Sequence, residues 1–93
     1  MRVFVKDPSA RIDYMIDWGA GHLGNNIINA STWSVTPEHD NGISVVEFSH
    51  DGRKSTASIE GGVAGKIYDV RNHIILNNGE SDDRSISFRV EKR

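Results

Sequence analysis

The sequence of 93 residues contains no cysteine, which excludes a disulfide framework and a thiolate zinc site. It has only two prolines, Pro8 and Pro37, so its turns must be built mostly from Gly, Asn and Asp. No apolar run approaches the roughly 20 residues of a membrane span. The apolar stretch 3–5 is followed at once by Lys6 and Asp7. We therefore expect neither a transmembrane helix nor a signal peptide.

The sequence also lacks an excess of basic charge. Its 11 Lys and Arg residues stand against 13 Asp and Glu, which gives a formal net charge of −2 and an isoelectric point near 6.0. A nucleic-acid-binding protein normally carries a basic face that releases counterions from phosphates, whereas the basic residues here are scattered. We expect neither a nucleic acid nor a membrane as a partner.

The residues that are abundant are β-branched. Ten Ile and eight Val stand against two Leu and five Ala. Branching at Cβ suits strands and disfavours helices. The length fits one domain over residues 1–93. The composition therefore predicts a single all-β domain.

Alternation of apolar and polar residues, interrupted by turn signals, predicts about seven strands. They fall at 3–5, 12–17, 27–35, 43–49, 54–60, 66–76 and 85–90. One helical or 3₁₀ turn is expected within 18–24, and an acidic loop at 77–83. Short strands at this spacing are typical of an antiparallel β-sandwich of the immunoglobulin or fibronectin-III type.

The same alternation predicts which side chains form the core. The candidates are Tyr14, Ile16, Trp33, Tyr68, Val70, Asn72, Ile74, Ile86, Phe88 and Val90. Asn72 is the one polar residue among them, so we expect it to need a specific hydrogen-bond partner and to have a structural role. By analogy with immunoglobulin-like sandwiches, Tyr68 lies where a tyrosine often begins the penultimate strand.

Residues 19–24 match the G-x-G-x-x-G fingerprint of dinucleotide-binding proteins. That fingerprint works only where a helix follows and directs its N-terminus at the phosphate. Residues 27–35 instead are rich in types that disfavour helices. We therefore interpret 19–24 as a glycine-rich turn and expect no nucleotide or other cofactor.

Candidate catalytic groups can be named but do not form a recognisable site. Asp13 with Asp17, and Asp82 with Asp83, are more simply solvated carboxylates than acid–base pairs. Residues 49–51 read Ser-His-Asp, but adjacent residues of an extended chain point in different directions. The four histidines have no metal-binding spacing, and they are His22, His39, His50 and His73. We expect no catalytic or metal site, and hence no enzyme.

Trp18 beside the glycine-rich turn has two interpretations. It is either a plug at the end of the sandwich, which we favour, or an exposed anchor for a partner. In the second case Trp18, His22 and Asn25 form the candidate interaction surface. The alternative function is a sandwich that binds a carbohydrate or other small ligand, with Trp18 and His22 as a stacking platform.

A pattern spread over nearly the whole chain resembles a family of small proteins encoded among the structural genes of tailed bacteriophages and prophages. It comprises Asp7-Pro8-x-Ala10, Asp13-Tyr14-x-Ile16-Asp17-Trp18, Leu23, Ile28, Ser31-x-Trp33-x-Val35, Gly61-Gly62-x-Ala64-Gly65, Tyr68-x-Val70-x-Asn72-x-Ile74, Gly79, Arg84-Ser85 and Val90. The chain departs from the pattern at His22 and Asn25, where the family more often has an aromatic and an acidic residue.

The resemblance implies an immunoglobulin-like, fibre-tail adaptor-like protein without catalytic activity. It implies a virion component that packs against other phage tail or connector proteins, with self-association left open. In the absence of assembly, the expected location is the cytoplasm of a bacterial host.

Overall fold

The computed structural model describes residues 3–20 and 23–92, and its regular structure is all β apart from one 3₁₀ turn. The strands are β1 (Val3–Lys6), β2 (Ile12–Asp17), β3 (Ile28–Thr36), β4 (Ser44–His50), β5 (Lys54–Glu60), β6 (Ile67–Leu76) and β7 (Ser81–Val90). The 3₁₀ turn is Trp18–Ala20 and follows β2 directly. Among the described residues, no helix is long and apolar enough to span a membrane.

The seven strands form two sheets with the topology of an immunoglobulin-like sandwich. One sheet has the order β1-β7-β6-β3 and the other β2-β5-β4. Lettered A to G along the chain, these are the A-G-F-C and B-E-D sheets, in which C, F and G share one sheet and B, E and D the other. All pairs are antiparallel except β1 with β7. The predicted sandwich of about seven strands is confirmed.

Alternation explains why β6 and β7 form the centre of the larger sheet. Every second residue of β6 from Tyr68 to Leu76 is buried, while most of those between are exposed. Its register with β7 sets Tyr68 opposite Phe88 and Val70 opposite Ile86. Because opposed residues of an antiparallel pair point to the same face, one apolar face forms on two adjacent strands.

The interior divides into two apolar clusters along the sandwich. The first contains Val35, Ile43, Ile59, Tyr68, Val70, Ile86, Phe88 and Val90. The second contains Ile16, Trp18, Leu23, Ile28, Ile74 and Leu76. Tyr14 and Trp33 pack against both clusters, with their rings edge to face at a centroid distance of 6.4 Å. These two aromatic residues therefore join the two halves of the core.

The acidic loop predicted at 77–83 is wrong in its second half. The chain reverses within a tight turn, in which the Leu76 amide donates to the Glu80 carbonyl over 2.7 Å and Gly79 has a φ of +90°. β7 then begins at Ser81 and carries Asp82 and Asp83 into the ladder. Both carboxylates lie on exposed positions of the strand, where charge is tolerated, so their acidity did not mark a loop.

Candidate interaction surface

A buried hydrogen-bond network around Asn72 joins the two sheets. The Asn72 side-chain oxygen accepts from Trp18 Nε1 over 2.9 Å and from the Ser55 hydroxyl. The Asn72 amide nitrogen donates to the Ser31 hydroxyl over 2.8 Å and to the Thr32 carbonyl over 3.0 Å. Each oxygen lone pair and amide proton of Asn72 thus has a partner, as a fully buried amide requires.

Because Trp18 takes part in this buried network, it does not belong to the interaction surface that was a candidate in the sequence. Its side chain is only 1% exposed and belongs to the second core cluster, in agreement with the plug interpretation. The Arg84 guanidinium lies over the indole ring at 4.9 Å, a cation–π contact. Trp18 therefore offers no exposed ring to a partner or a sugar. Asn25 is exposed, and His22 lies outside the described residues.

The predicted core residues are placed together inside the sandwich. Eight are buried: Ile16, Tyr68, Val70, Asn72, Ile74, Ile86, Phe88 and Val90. Tyr14 and Trp33 are only half-buried, and both lie on edge strands, β2 and β3. Trp33 Nε1 is buried and has no hydrogen-bond partner in the described part of the chain.

Tyr68 forms the contact known as a tyrosine corner. Its hydroxyl accepts a hydrogen bond from the Val63 amide over 3.0 Å, five residues upstream, as in the corner of immunoglobulin-like domains. The same hydroxyl lies 3.0 Å from His39 Nε2, and the two rings are in contact at a tilt of 31° with centroids 5.4 Å apart. His39 thereby links the loop after β3 to the start of β6.

Lys6 is a buried cation at the end of β1. Only 2% of the residue is exposed, and its ammonium group donates to the carbonyls of Asp7 and Gly61 over 3.0 and 2.7 Å. Removal from water lowers the pKa of Lys6, while the carboxylates of Asp7 and Glu60 partly raise it. Lys6 therefore ties β1 to the loop after β5.

The carboxylates and histidines considered for catalysis form local contacts instead of a common site. Asp13 accepts from the Ser58 hydroxyl, and Asp17 accepts from the amide of Gly19 over 3.0 Å. His50 Nδ1 lies 3.1 Å from the backbone carbonyl of Asp51, not from a carboxylate. His73 Nδ1 lies 2.6 Å from the Asp83 carboxylate on the exposed face of the β6–β7 pair. Among the described residues, no group of three or more metal-binding side chains comes together.

Gly19, the first glycine of the G-x-G-x-x-G match, allows the turn after β2 to pack closely against the turn between β4 and β5. The Gly19 amide donates to the Arg53 carbonyl over 3.1 Å, and the Arg53 guanidinium donates back to the Gly19 carbonyl over 3.0 Å. A Cβ on Gly19 would lie 2.5 Å from Arg53 Nε. In the described residues between this turn and β3 no α-helix is present that could face a phosphate.

A surface that the sequence analysis missed lies along β4. Phe48 is 63% exposed and Val46 is 42% exposed, although both belong to a strand of the smaller sheet. A bulge between Val45 and Glu47 shifts the register of β4 against β5 at this point. The adjacent valines 45 and 46 break strict alternation, and this was the signal in the sequence that could have indicated a bulge.

One cluster of three charged side chains lies beside β4. Arg11 forms ion pairs with both Glu47 and Glu60, at 3.2 and 3.4 Å, so this group of three carries one uncompensated negative charge. A separate groove at the start of β4 is lined by Ser44 and Val45 together with Glu38 and Asp40 of the loop after β3. The exposed Phe48 has the acidic Glu47 as its neighbour in the strand.

The fold and its buried polar contacts define the class of this protein as an immunoglobulin-like β-sandwich domain. Residues 6–89 match the family described as Podophage GP4 fiber-tail adaptor protein gp77. The chain belongs to this family, so the predicted resemblance to fibre-tail adaptor-like phage proteins is confirmed. No curated protein matches the sequence.

Proposed function

We propose that this chain is a structural adaptor of a phage tail, which packs between tail proteins and a fibre without catalysing a reaction. The observation that carries the proposal is the family match, because it extends from the end of β1 to the end of β7 and so includes both sheets. A match of this extent concerns the whole sandwich and not one turn or motif.

The contacts of the polar side chains support a structural role. The buried Asn72 and Lys6 are engaged in hydrogen bonds that join strands and loops, and Tyr68 secures a loop. Side chains with such contacts stabilise one rigid arrangement of the strands and loops. An adaptor needs a rigid shape with surfaces for two neighbours, because a pre-organised surface loses less conformational entropy on binding.

The adaptor proposal is tested by reconstitution with the tail and fibre proteins encoded beside this chain. We expect the tail protein, this chain and the fibre protein to elute as one complex in size-exclusion chromatography. Without this chain, tail and fibre should elute separately. Attachment of the fibre to the tail in equal amount without this chain would refute the adaptor role.

The location in the virion follows from the same proposal. Quantitative mass spectrometry of purified particles should find this chain in a fixed ratio to the fibre protein. A chain that stays in the lysate while complete particles band in a density gradient contradicts the proposal.

A further inference from the structure

β4 is an open edge of the smaller sheet. It stands last in the order β2-β5-β4, so within the described residues one side of its backbone is not bonded to another strand. Natural edge strands are commonly protected by charged side chains, above all Lys, by Pro or by a bulge. β4 has neither Lys nor Pro, its one acidic residue, Glu47, is paired with Arg11, and its bulge lies at the start, so 47–50 keep an unbroken register with β5. This stretch presents regular, unpaired backbone.

Phe48 has the register of a core residue but the exposure of a surface residue. It lies opposite Ala57, which is fully buried, and opposed residues of an antiparallel pair share a face. Phe48 is nevertheless 63% exposed, the largest fraction among the exposed large hydrophobic residues in the described part of the chain. Because β4 is the last strand, Phe48 lies beside the core, where one more strand in this sheet would cover its ring.

Glu47 gives this edge a charge preference. It points to the face opposite that of Phe48 and shares Arg11 with Glu60, so these three side chains leave one net negative charge on that face of the sheet. A second copy of this chain would bring its own acidic edge against this one, and like charges across a strand pair are destabilising. A strand with a basic side chain at this position would instead gain an ion pair.

We propose that the β4 edge binds an extended segment of a partner tail or fibre protein by strand addition. The segment places an apolar side chain against Phe48 and a basic side chain beside Glu47. The two requirements are compatible because neighbouring side chains of a strand point to opposite faces. This inference rests on the proposed adaptor function and names the surface and the partner chemistry for it.

The test uses the full chain labelled with ¹⁵N and two synthetic peptides, one of alternating valine and lysine and one of alternating valine and glutamate. In NMR titrations, the lysine peptide should shift the amide signals of 46–50 and bind about tenfold more tightly than the glutamate peptide. Phe48→Ser should weaken the binding of the lysine peptide about tenfold. Glu47→Lys should reverse the preference between the peptides.

Ile67→Ser is the matched control, because Ile67 is 55% exposed but lies on β6 in the other sheet. It should bind the lysine peptide like the unaltered chain. Equal binding of both peptides, the absence of binding, or shifts confined to strands other than β4 would overturn the proposal. A dimer that Phe48→Ser dissociates in sedimentation would assign the edge to a second copy and overturn it as well.

The proposal for the β4 edge and the proposal of an adaptor role can be refuted separately. If the unaltered chain and Phe48→Ser both join tail to fibre in the reconstitution, the edge proposal is wrong and the adaptor role stands. If the unaltered chain joins neither protein, the adaptor role itself is wrong. If only Phe48→Ser fails to join them while its unfolding curve is unchanged, both are supported.

Discussion

Trp18 Nε1 donates a hydrogen bond of 2.9 Å to the side-chain oxygen of Asn72, which also accepts from Ser55 in the opposite sheet. In antibody domains a disulfide between strands B and F joins the sheets at the centre of the sandwich. This chain has no cysteine. Here Trp18 follows strand B and Asn72 lies on strand F, so a buried hydrogen-bond network joins elements that correspond to those bridged by the disulfide.

Replacing Asn72 tests this network. Asn72→Ala removes both the acceptor and the donors, which leaves Trp18 Nε1 with only the longer contact to the Ser55 hydroxyl at 3.3 Å and takes the donor from the Ser31 hydroxyl and the Thr32 carbonyl. We expect the free energy of unfolding, measured in urea, to fall by about 2–4 kcal/mol. Asn25→Ala, at an exposed position, should change it by less than about 0.5 kcal/mol. Equal effects of the two substitutions would contradict the structural role of Asn72.

Removing one hydroxyl tests the tyrosine corner. Tyr68→Phe keeps the ring but removes the acceptor of the Val63 amide and the contact with His39. The free energy of unfolding should fall by about 1–2 kcal/mol. Tyr14→Phe is the matched control, because Tyr14 acts through its ring contacts, and it should cost less than about 0.5 kcal/mol. A larger loss for Tyr14→Phe than for Tyr68→Phe would disagree with the described contacts.

Alanine substitutions at two glycines distinguish the cost of backbone strain from the cost of a steric clash. Gly62 and Gly65 have φ angles of +109° and +90°, so alanine is strained at both. A Cβ on Gly62 would lie 2.5 Å from Cγ2 of the buried Val90, whereas a Cβ on Gly65 would meet no atom within 4 Å. We expect Gly62→Ala to cost about 1–3 kcal/mol more than Gly65→Ala in thermal or urea unfolding. Equal costs would show that Val90 can move aside.

The lowered pKa of Lys6 predicts that the free energy of unfolding depends on pH. Burial lowers its pKa in the folded chain below the unfolded value of 10.5, so the unfolded chain binds more protons between the two pKa values. The contribution of Lys6 to stability therefore rises as the pH increases through that range. The free energy of unfolding of the unaltered chain, measured relative to Lys6→Met, should increase up to about pH 10.5. A difference that is constant or decreases there contradicts the lowered pKa.

The strands that could be predicted best have one buried face and a turn at each end. The sequence predicted 12–17 and 54–60, and the structure has Ile12–Asp17 and Lys54–Glu60. Alternation and turn residues are local signals, so a single sequence carries them. The start of β7 was missed because local acidity indicated a loop, while pairing with β6 decided the outcome.

The candidate surface was harder to predict, because it depends on how distant strands meet. The sequence places Trp18 beside a turn but does not show that Asn72 is within reach of its indole. The exposure of Phe48 depends on a bulge and on the position of β4 at the end of its sheet. Sheet order and edge position arise from pairing over long sequence separations, which alternation within one strand cannot reveal.

Electron cryo-microscopy of the tail, assembled with the fibre and this chain, tests the adaptor role most directly. We predict density for the two-sheet sandwich at the junction, in contact with both tail and fibre. A junction in which the fibre contacts the tail directly, with no sandwich between them, would contradict the account.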